Sequence, residues 1–231
     1  MITISNLTVS HQKDKPTLNR LDLSITDNAV HGLVGLNGAG KTTFFNTLFG
    51  LKKPDGGTIL HNGQRLTPRQ IAYLPTEHFF YSGITGPEYL ELFEKNKQKA
   101  GKWLELFNLP SNLTIDEYST GMKRKLALAG VILLDRPVML LDEPFNGLDI
   151  ESCLLLQMLL SRLKAKNKTI VVSSHVIETL TGICHAIHYL EAGRIKLSCP
   201  KSNFPALEQQ ISSIVTDRHI ALLDNCLKQP E

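Results

Sequence analysis

The run Gly35-Leu36-Asn37-Gly38-Ala39-Gly40-Lys41-Thr42-Thr43 constrains this chain more than any other stretch. Glycine has no Cβ and tolerates positive φ, so a glycine-rich backbone can wrap closely enough to aim several N–H groups at one anion. Lys41 then supplies a point charge for β- and γ-phosphates, and the Thr42 hydroxyl suits a Mg²⁺ ligand. Val30 to Val34 ahead of the loop is a short apolar strand. Thr42 to Phe49 reads as a helix that stops at Gly50, so its N-terminus faces the phosphates. The bland reading, an ordinary Gly-rich turn, loses to these flanks. By itself the loop implies a bound nucleotide and no more.

Bulk properties exclude several classes. A chain of 231 residues can bury a sizeable core. The net charge of +3 is spread along the chain, which argues against a nucleic-acid or membrane-surface patch. Lys123-Arg124-Lys125 falls in a predicted helix and reads as one solvated face. No apolar run approaches the ~20 residues that span a bilayer. The start, Met1-Ile2-Thr3-Ile4-Ser5, lacks the basic-then-apolar layout of a signal peptide, so a soluble cytosolic protein is expected. Cys153, Cys184, Cys199 and Cys226 show no C-x-x-C spacing and read as reduced structural thiols. Cys184, His185 and His188 suggest a metal site, but in a strand an offset of three puts the two histidines on opposite faces, and the site is rejected.

The pattern along the chain predicts an α/β fold: a phosphate-loop core with a mostly parallel sheet, an N-terminal antiparallel β subdomain and a helical insertion. Ile2 to Val9 and Leu18 to Ile25 alternate as antiparallel strands about a turn at Asp14-Lys15-Pro16. Pro54-Asp55-Gly56-Gly57 turns into a strand at Thr58 to His61, Asn62-Gly63 turns again, and Ile71 to Leu74 is a further short strand. From about 77 to 134 the character is helical, at Pro87 to Phe93, Trp103 to Phe107 and Gly121 to Leu134. Val138-Met139-Leu140-Leu141 is continuously apolar, as expected of a central parallel strand covered on both faces. Ile150 to Lys164 reads as a helix, Thr169 to Ser173 as a buried strand, and Ala186 to Leu190 with Arg194 to Leu197 as a closing hairpin about Gly193. The hairpin and tail, about 186–231, end in some 30 residues without a readable motif. The expectation is one domain over 1–231.

Acidic and hydroxyl residues stand at the strand ends. Asp142 closes the apolar strand, where a carboxylate beside a phosphate loop can hold Mg²⁺, and Glu143 follows, placed to orient or deprotonate an attacking water. Ser173-Ser174-His175 ends the next strand; His175 could touch the γ-phosphate and the water, but taken alone it reads rather as a bystander after a capping serine. In Tyr118-Ser119-Thr120-Gly121-Met122, serine is a good N-cap and glycine lets a phosphate approach the helix end; a plain capped helix is the alternative.

Together these motifs resemble the ATP-binding subunit of ABC transporters, in the family's order and over nearly the whole chain. Gly35 to Thr43 matches its Walker A loop and Val138 to Glu143 its Walker B strand with the catalytic glutamate. Tyr118 to Met122 looks like the signature motif, LSGGQ in its commonest form, Asn146-Gly147-Leu148-Asp149 like the D-loop, and His175 like the switch histidine. Tyr118 to Leu128 and Phe80 to Glu91 look most like subunits that partner exporter-type (ABC-2) permeases. Two motifs depart from the pattern. Thr76, followed by Glu77, stands where the family has a glutamine serving Mg²⁺ and the attacking water, and a threonine is too short for both tasks. The signature has Thr120 for its first glycine and Met122 for its glutamine. For the aromatic residue that stacks on adenine the best match is His11, with an exposed loop histidine as the competing reading.

The resemblance implies an ATPase that binds ATP and Mg²⁺. Nucleotide would be held by Asn37, Gly38, Ala39, Gly40, Lys41, Thr42, Thr43 and His11, with Ser119, Gly121 and Asp149 serving a second subunit's nucleotide. Thr42, Asp142 and Thr76 would surround the metal, and Glu143, His175 and Lys41 would act in catalysis. It implies a head-to-tail homodimer or heterodimer, a separately encoded integral-membrane permease docked near Phe79-Phe80-Tyr81, no nucleic-acid partner, and a place on the inner face of the cell membrane. The alternatives are a soluble non-transport ABC-type ATPase and, because of Thr76, a nucleotide-gated structural subunit with negligible turnover.

Overall fold

The computed structural model describes residues 1–12 and 15–227; the side chains of His11, Gln12 and much of the last helix are outside that description. In chain order the elements are β1 (Ile2–Gln12), β2 (Lys15–Ile25), β3 (Val30–Val34), α1 (Lys41–Phe49), β4 (Gly56–His61), β5 (Gln64–Arg65), β6 (Ile71–Leu74), α2 (Gly86–Glu91), α3 (Lys97–Leu106), α4 (Thr120–Leu133), β7 (Val138–Leu141), α5 (Ile150–Ala165), β8 (Thr169–Ser174), α6 (Glu178–Thr181), β9 (Ala186–Glu191), β10 (Arg194–Pro200) and α7 (Phe204–Leu227).

They form two sheets. The antiparallel one runs β2-β1-β4-β5 and the larger one β10-β9-β3-β8-β7-β6. In the larger sheet β6, β7, β8, β3 and β9 are mutually parallel, and β10 returns antiparallel on the edge. Its strands are apolar without interruption because both faces are covered. Side chains alternate across a strand, and here they alternate between two cores. Val138 and Leu140 of β7, with Ile71 and Tyr73 of β6 and Val171 of β8, pack toward the antiparallel sheet and Phe44, Phe45 and Leu48 of α1. Met139, Leu141, Ala72, Leu74, Ile170 and Val172 pack on the other face against α2 to α6. The α/β fold is as expected, and this double coverage puts the C-terminal ends of β3, β6, β7 and β8 on one rim.

Several local expectations need correction. Lys15 and Pro16 are already strand, paired with Gln12 and Ser10; β2 is an edge strand, where a proline's missing N–H costs no ladder bond. Asp14 lies outside the described residues. Gly56 and Gly57 belong to β4 rather than to the turn before it. The tail without a motif folds as a short 3₁₀ turn and the 24-residue α7. Lys123-Arg124-Lys125 is not one solvated face: Arg124 is 6% exposed. Its neighbours three, four and seven positions on, Ala127, Leu128 and Val131, are buried too, so the helical period carries Arg124 inward.

Between β3 and β9 the interior holds two stacked imidazoles. His31 and His188 lie 5.4 Å apart at 7°, with His31 Nδ1 3.1 Å from His188 Nε2. The chain of contacts ends on the Thr26 hydroxyl at 3.0 Å and the Ser198 hydroxyl at 2.9 Å. Burial holds each ring down at about 4, and the charge of His31 would further oppose protonation of His188. His185 sits apart from this pair, its Nδ1 accepting from Val30 N at 3.3 Å. Below the ordinary histidine value near 6.5 the unfolded chain gains protons that the folded one refuses, so stability is greatest above that pH and falls toward pH 4. The urea midpoint is therefore expected to decline between pH 6.5 and 5, with a smaller slope in a His188→Gln variant. An equal slope would remove these rings as its source.

Candidate functional site

The phosphate loop joins β3 to α1 and is packed from beneath by two other parts of the chain. Gly40 caps α1 at φ +109, and a Cβ there would stand 3.2 Å from Thr17 O and 3.0 Å from Leu18 Cδ2. Gly193, in the turn between β9 and β10, comes closer still: its Cβ would be 2.2 Å from Thr17 O. The same turn accepts from Asn19 N at 3.0 Å and donates to Ala39 O at 3.2 Å. The loop is thus held in shape by backbone contacts on both sides, the condition for a preorganised anion site.

Above it opens a cavity of about 380 Å³ lined by Asn37, Gly38, Ala39, Gly40, Lys41, Thr42 and Thr43, together with Leu36, Thr17, Thr76, Glu143, Asn146 and His175. Lys41 Nζ donates to Gly35 O at 2.6 Å and lies 3.3 Å from Glu143 Oε1. His175 Nδ1 is 3.0 Å from the other oxygen of the same carboxylate, Oε2. One cation and one imidazole therefore flank Glu143, both on the cavity wall. His175 lines the cavity beside Glu143.

Asp142, wholly buried at the end of β7, accepts three hydroxyls. Thr42 donates to Oδ2 at 2.7 Å, Thr76 to the same oxygen at 2.8 Å, and Ser173 to Oδ1 at 2.5 Å. A buried carboxylate needs such partners to offset its lost hydration. Two threonine hydroxyls meeting on one carboxylate oxygen also make a set of hard oxygen donors, the chemistry that suits Mg²⁺. Thr76 lines the cavity; Glu77 is exposed and lines an adjoining groove with His78, Phe79 and Phe80.

Glu143 has a backbone φ of +51, in the left-handed region. For a non-glycine residue this costs about 1–3 kcal/mol and persists only where the surroundings enforce it. Its N–H donates to Ser173 Oγ at 2.8 Å, and its carbonyl accepts from Arg124 Nη2 and, at 3.2 Å, from Asn146 N. The twist swings the carboxylate into the cavity.

Other sequence-selected residues lie elsewhere. Ser119 caps α4, accepting from Met122 N at 3.2 Å, and is exposed; Asp149 caps α5, accepting from Ser152 N at 2.7 Å. Gly121 packs beside the Gly147 carbonyl, 3.0 Å from where its Cβ would be, and Lys125 reaches Asp149 at 3.4 Å. Ser119, Gly121 and Asp149 thus cluster together but do not line the phosphate cavity. His11 falls in β1 with its side chain outside the description. Sequence reasoning missed Thr17, which reaches the cavity through tertiary packing alone, and Arg124, whose apolar i+3 and i+4 neighbours were a readable signal.

Thr76 can be tested without turnover. Thr76→Val keeps the shape and removes one hydroxyl from Asp142, so the Mg²⁺ needed to bind a fluorescent ATP analogue should rise by about tenfold. An unchanged Mg²⁺ titration would take Thr76 out of that shell.

Known proteins resemble this chain in sequence and in fold. The family described as ABC transporter matches residues 18–146. The ABC transporter ATP-binding protein YhaQ of Bacillus subtilis is 31% identical over 207 residues, 84% of this chain and 69% of that one. The bacitracin transport ATP-binding protein BcrA of Enterococcus faecalis is 30% identical over 209 residues, 84% of this chain and 68% of that one. In fold, a dimeric post-hydrolysis cassette, MJ0796 with ADP and Pi, superposes with a TM-score of 0.80 at 22% identity, covering 87% of this chain and 99% of that one. With its phosphate loop and flanked Glu143 on one cavity and Asp142 buried behind Thr42 and Thr76, the chain belongs to the ABC transporter family as an ATP-binding subunit.

Proposed function

We propose that the chain hydrolyses ATP as one half of a head-to-tail pair of ATP-binding subunits and drives a separate membrane permease, in the direction of export. The observation that carries this is the division of the site. Loop, Thr76, Glu143 and His175 are assembled around one cavity, while exposed Ser119 and Asp149, with half-buried Gly121, form a second cluster. A second subunit turned head to tail brings its own second cluster over the open cavity, so the triphosphate joins the two. The BcrA relative supports the export reading by its name, and the MJ0796 neighbour supports the pairing by its dimeric state.

Within the pair each residue has a chemical task. The loop amides from Asn37 to Thr43 and the Lys41 ammonium hold the β- and γ-phosphates and stabilise charge that develops on the transferred group. Thr42, Thr76 and Asp142 would hold Mg²⁺, which when bound neutralises phosphate charge. Glu143 orients the attacking water and draws off its proton. His175, 3.0 Å from Glu143, fixes that carboxylate and reaches toward the γ-phosphate. Loss of the bridging phosphate releases the pair, a two-state switch of the kind that nucleotide charge controls.

No described helix is long and apolar enough to cross a membrane. Transport is assigned to a permease partner, with this chain working in the cytoplasm at the membrane's inner face; the transport names of its relatives support that reading. Phe80 turns inward onto Tyr89 at 5.1 Å, whereas Phe79 and Tyr81 are 79% and 59% exposed. Asp116 braces their loop, accepting from Ser82 Oγ and Gly83 N, each at 2.8 Å. We assign this exposed pair to the permease contact.

Two outcomes are expected. Glu143→Gln should bind Mg·ATP, lose turnover by about 10²–10⁴-fold and accumulate as a dimer in size-exclusion chromatography; a species that stays monomeric with saturating Mg·ATP would defeat the head-to-tail reading. Tyr81→Asp should abolish co-purification with the permease and leave ATP affinity unchanged. Retained co-purification would clear Tyr81 from that interface.

A further inference from the structure

We infer that Arg124 is a positioning residue for Glu143 and Thr76, tying the nucleotide cavity of a subunit to the α4 helix of the same subunit. The inference rests on the proposed role of Glu143 toward water. The guanidinium is buried, yet its charge is directed at backbone rather than at a carboxylate. Nη1 donates to Thr76 O at 2.8 Å and lies 3.0 Å from His78 Nε2. Nη2 donates to Glu143 O and reaches Asp142 O at 3.4 Å. Nε has no hydrogen-bond partner among the described residues. A planar fork gripping two loops fixes direction as well as distance, which a point charge does not.

The gripped atoms are the ones that matter for the geometry of the site. Glu143 holds a left-handed φ of +51 with its N–H tied to Ser173 Oγ; Arg124 ties the other end of the residue. With both ends fixed, the carboxylate stays between Lys41 at 3.3 Å and His175 at 3.0 Å. The bond to Thr76 O holds the loop whose hydroxyl meets Asp142. Arg124 lies little more than one turn into α4 from Ser119, the exposed cap that would meet the second subunit's nucleotide. A shift of that cap is carried along the helix to the carbonyl of Glu143. Capture of one nucleotide would in this way set the carboxylate that acts on the other.

The test compares Arg124→Gln and Arg124→Lys in the full chain. Misplacing a catalytic group by about 1 Å can cost 10²-fold, so Arg124→Gln should lower kcat by about that factor with KM for ATP within threefold. Arg124→Lys keeps the charge without the fork and should fall between the two. In the Glu143→Gln background, Arg124→Gln should leave Mg·ATP-driven dimerisation intact. Unchanged kcat in both variants, or a loss expressed wholly in KM, overturns the inference. Should Arg124→Gln melt below the assay temperature, Arg124→Lys decides alone: wild-type kcat in that variant refutes the role. Failure of Glu143→Gln itself to dimerise would instead refute the head-to-tail reading, and the division between kcat and KM would still judge Arg124.

Discussion

The buried carboxylate of Asp142 organises the catalytic end of this molecule. Its two oxygens take hydroxyl hydrogens from three separate stretches of chain: Thr42 at the start of α1, Thr76 after β6 and Ser173 near the end of β8. Each donor is needed, because an ionised group without water is costly unless paired or hydrogen-bonded. In meeting that need the fold draws the ends of three parallel strands and one helix to a single point. Lys41 and Glu143 then stand one residue from these anchors, and their separation of 3.3 Å follows from where Thr42 and Asp142 are held. The two-sided burial of the larger sheet supports this arrangement, since a strand gripped by cores on both faces cannot slide to loosen its tip.

How much of this was readable in the chain depended on whether the signal was local. The phosphate loop, the short apolar strands and the capped starts of α4 and α5 are written in adjacent residues, and backbone chemistry decides them with little help from elsewhere. The edges of elements were less legible: Pro16 punctuates a turn in isolation but is harmless on an edge strand, and that fact is known only once β2 is placed. Thr17 reaches the cavity because the β9–β10 turn presses on β2, a contact between residues far apart in sequence. Arg124 was misread for a different reason. A Lys-Arg-Lys run suggests solvent, but the helical period sets Arg124 above Leu128 and below no charged partner, so the fork goes inside while its neighbours remain nearer the surface.

The helical segment from α2 to α4 packs directly on the core, and polar contacts also fix its ends. Its first helix is set by a capping box at Thr85 and Glu88, and its last by the Ser119 cap. The loop between β6 and α2 is braced by Asp116 from one side and gripped by Arg124 from the other. A movement of this region is therefore felt at Thr76, and from there at Asp142. A threonine in place of a longer amide suits such a design: its hydroxyl reaches Asp142 only when the loop is drawn close.

The left-handed backbone of Glu143 has a further implication. Glycine would occupy that conformation without penalty, so the residue we propose for the chemistry is also one the fold would rather not have there. Selection for heat resistance alone would erode it, and only the demand for turnover keeps a carboxylate where a bare backbone would be more comfortable. Endurance and speed are set against each other at a single Cα.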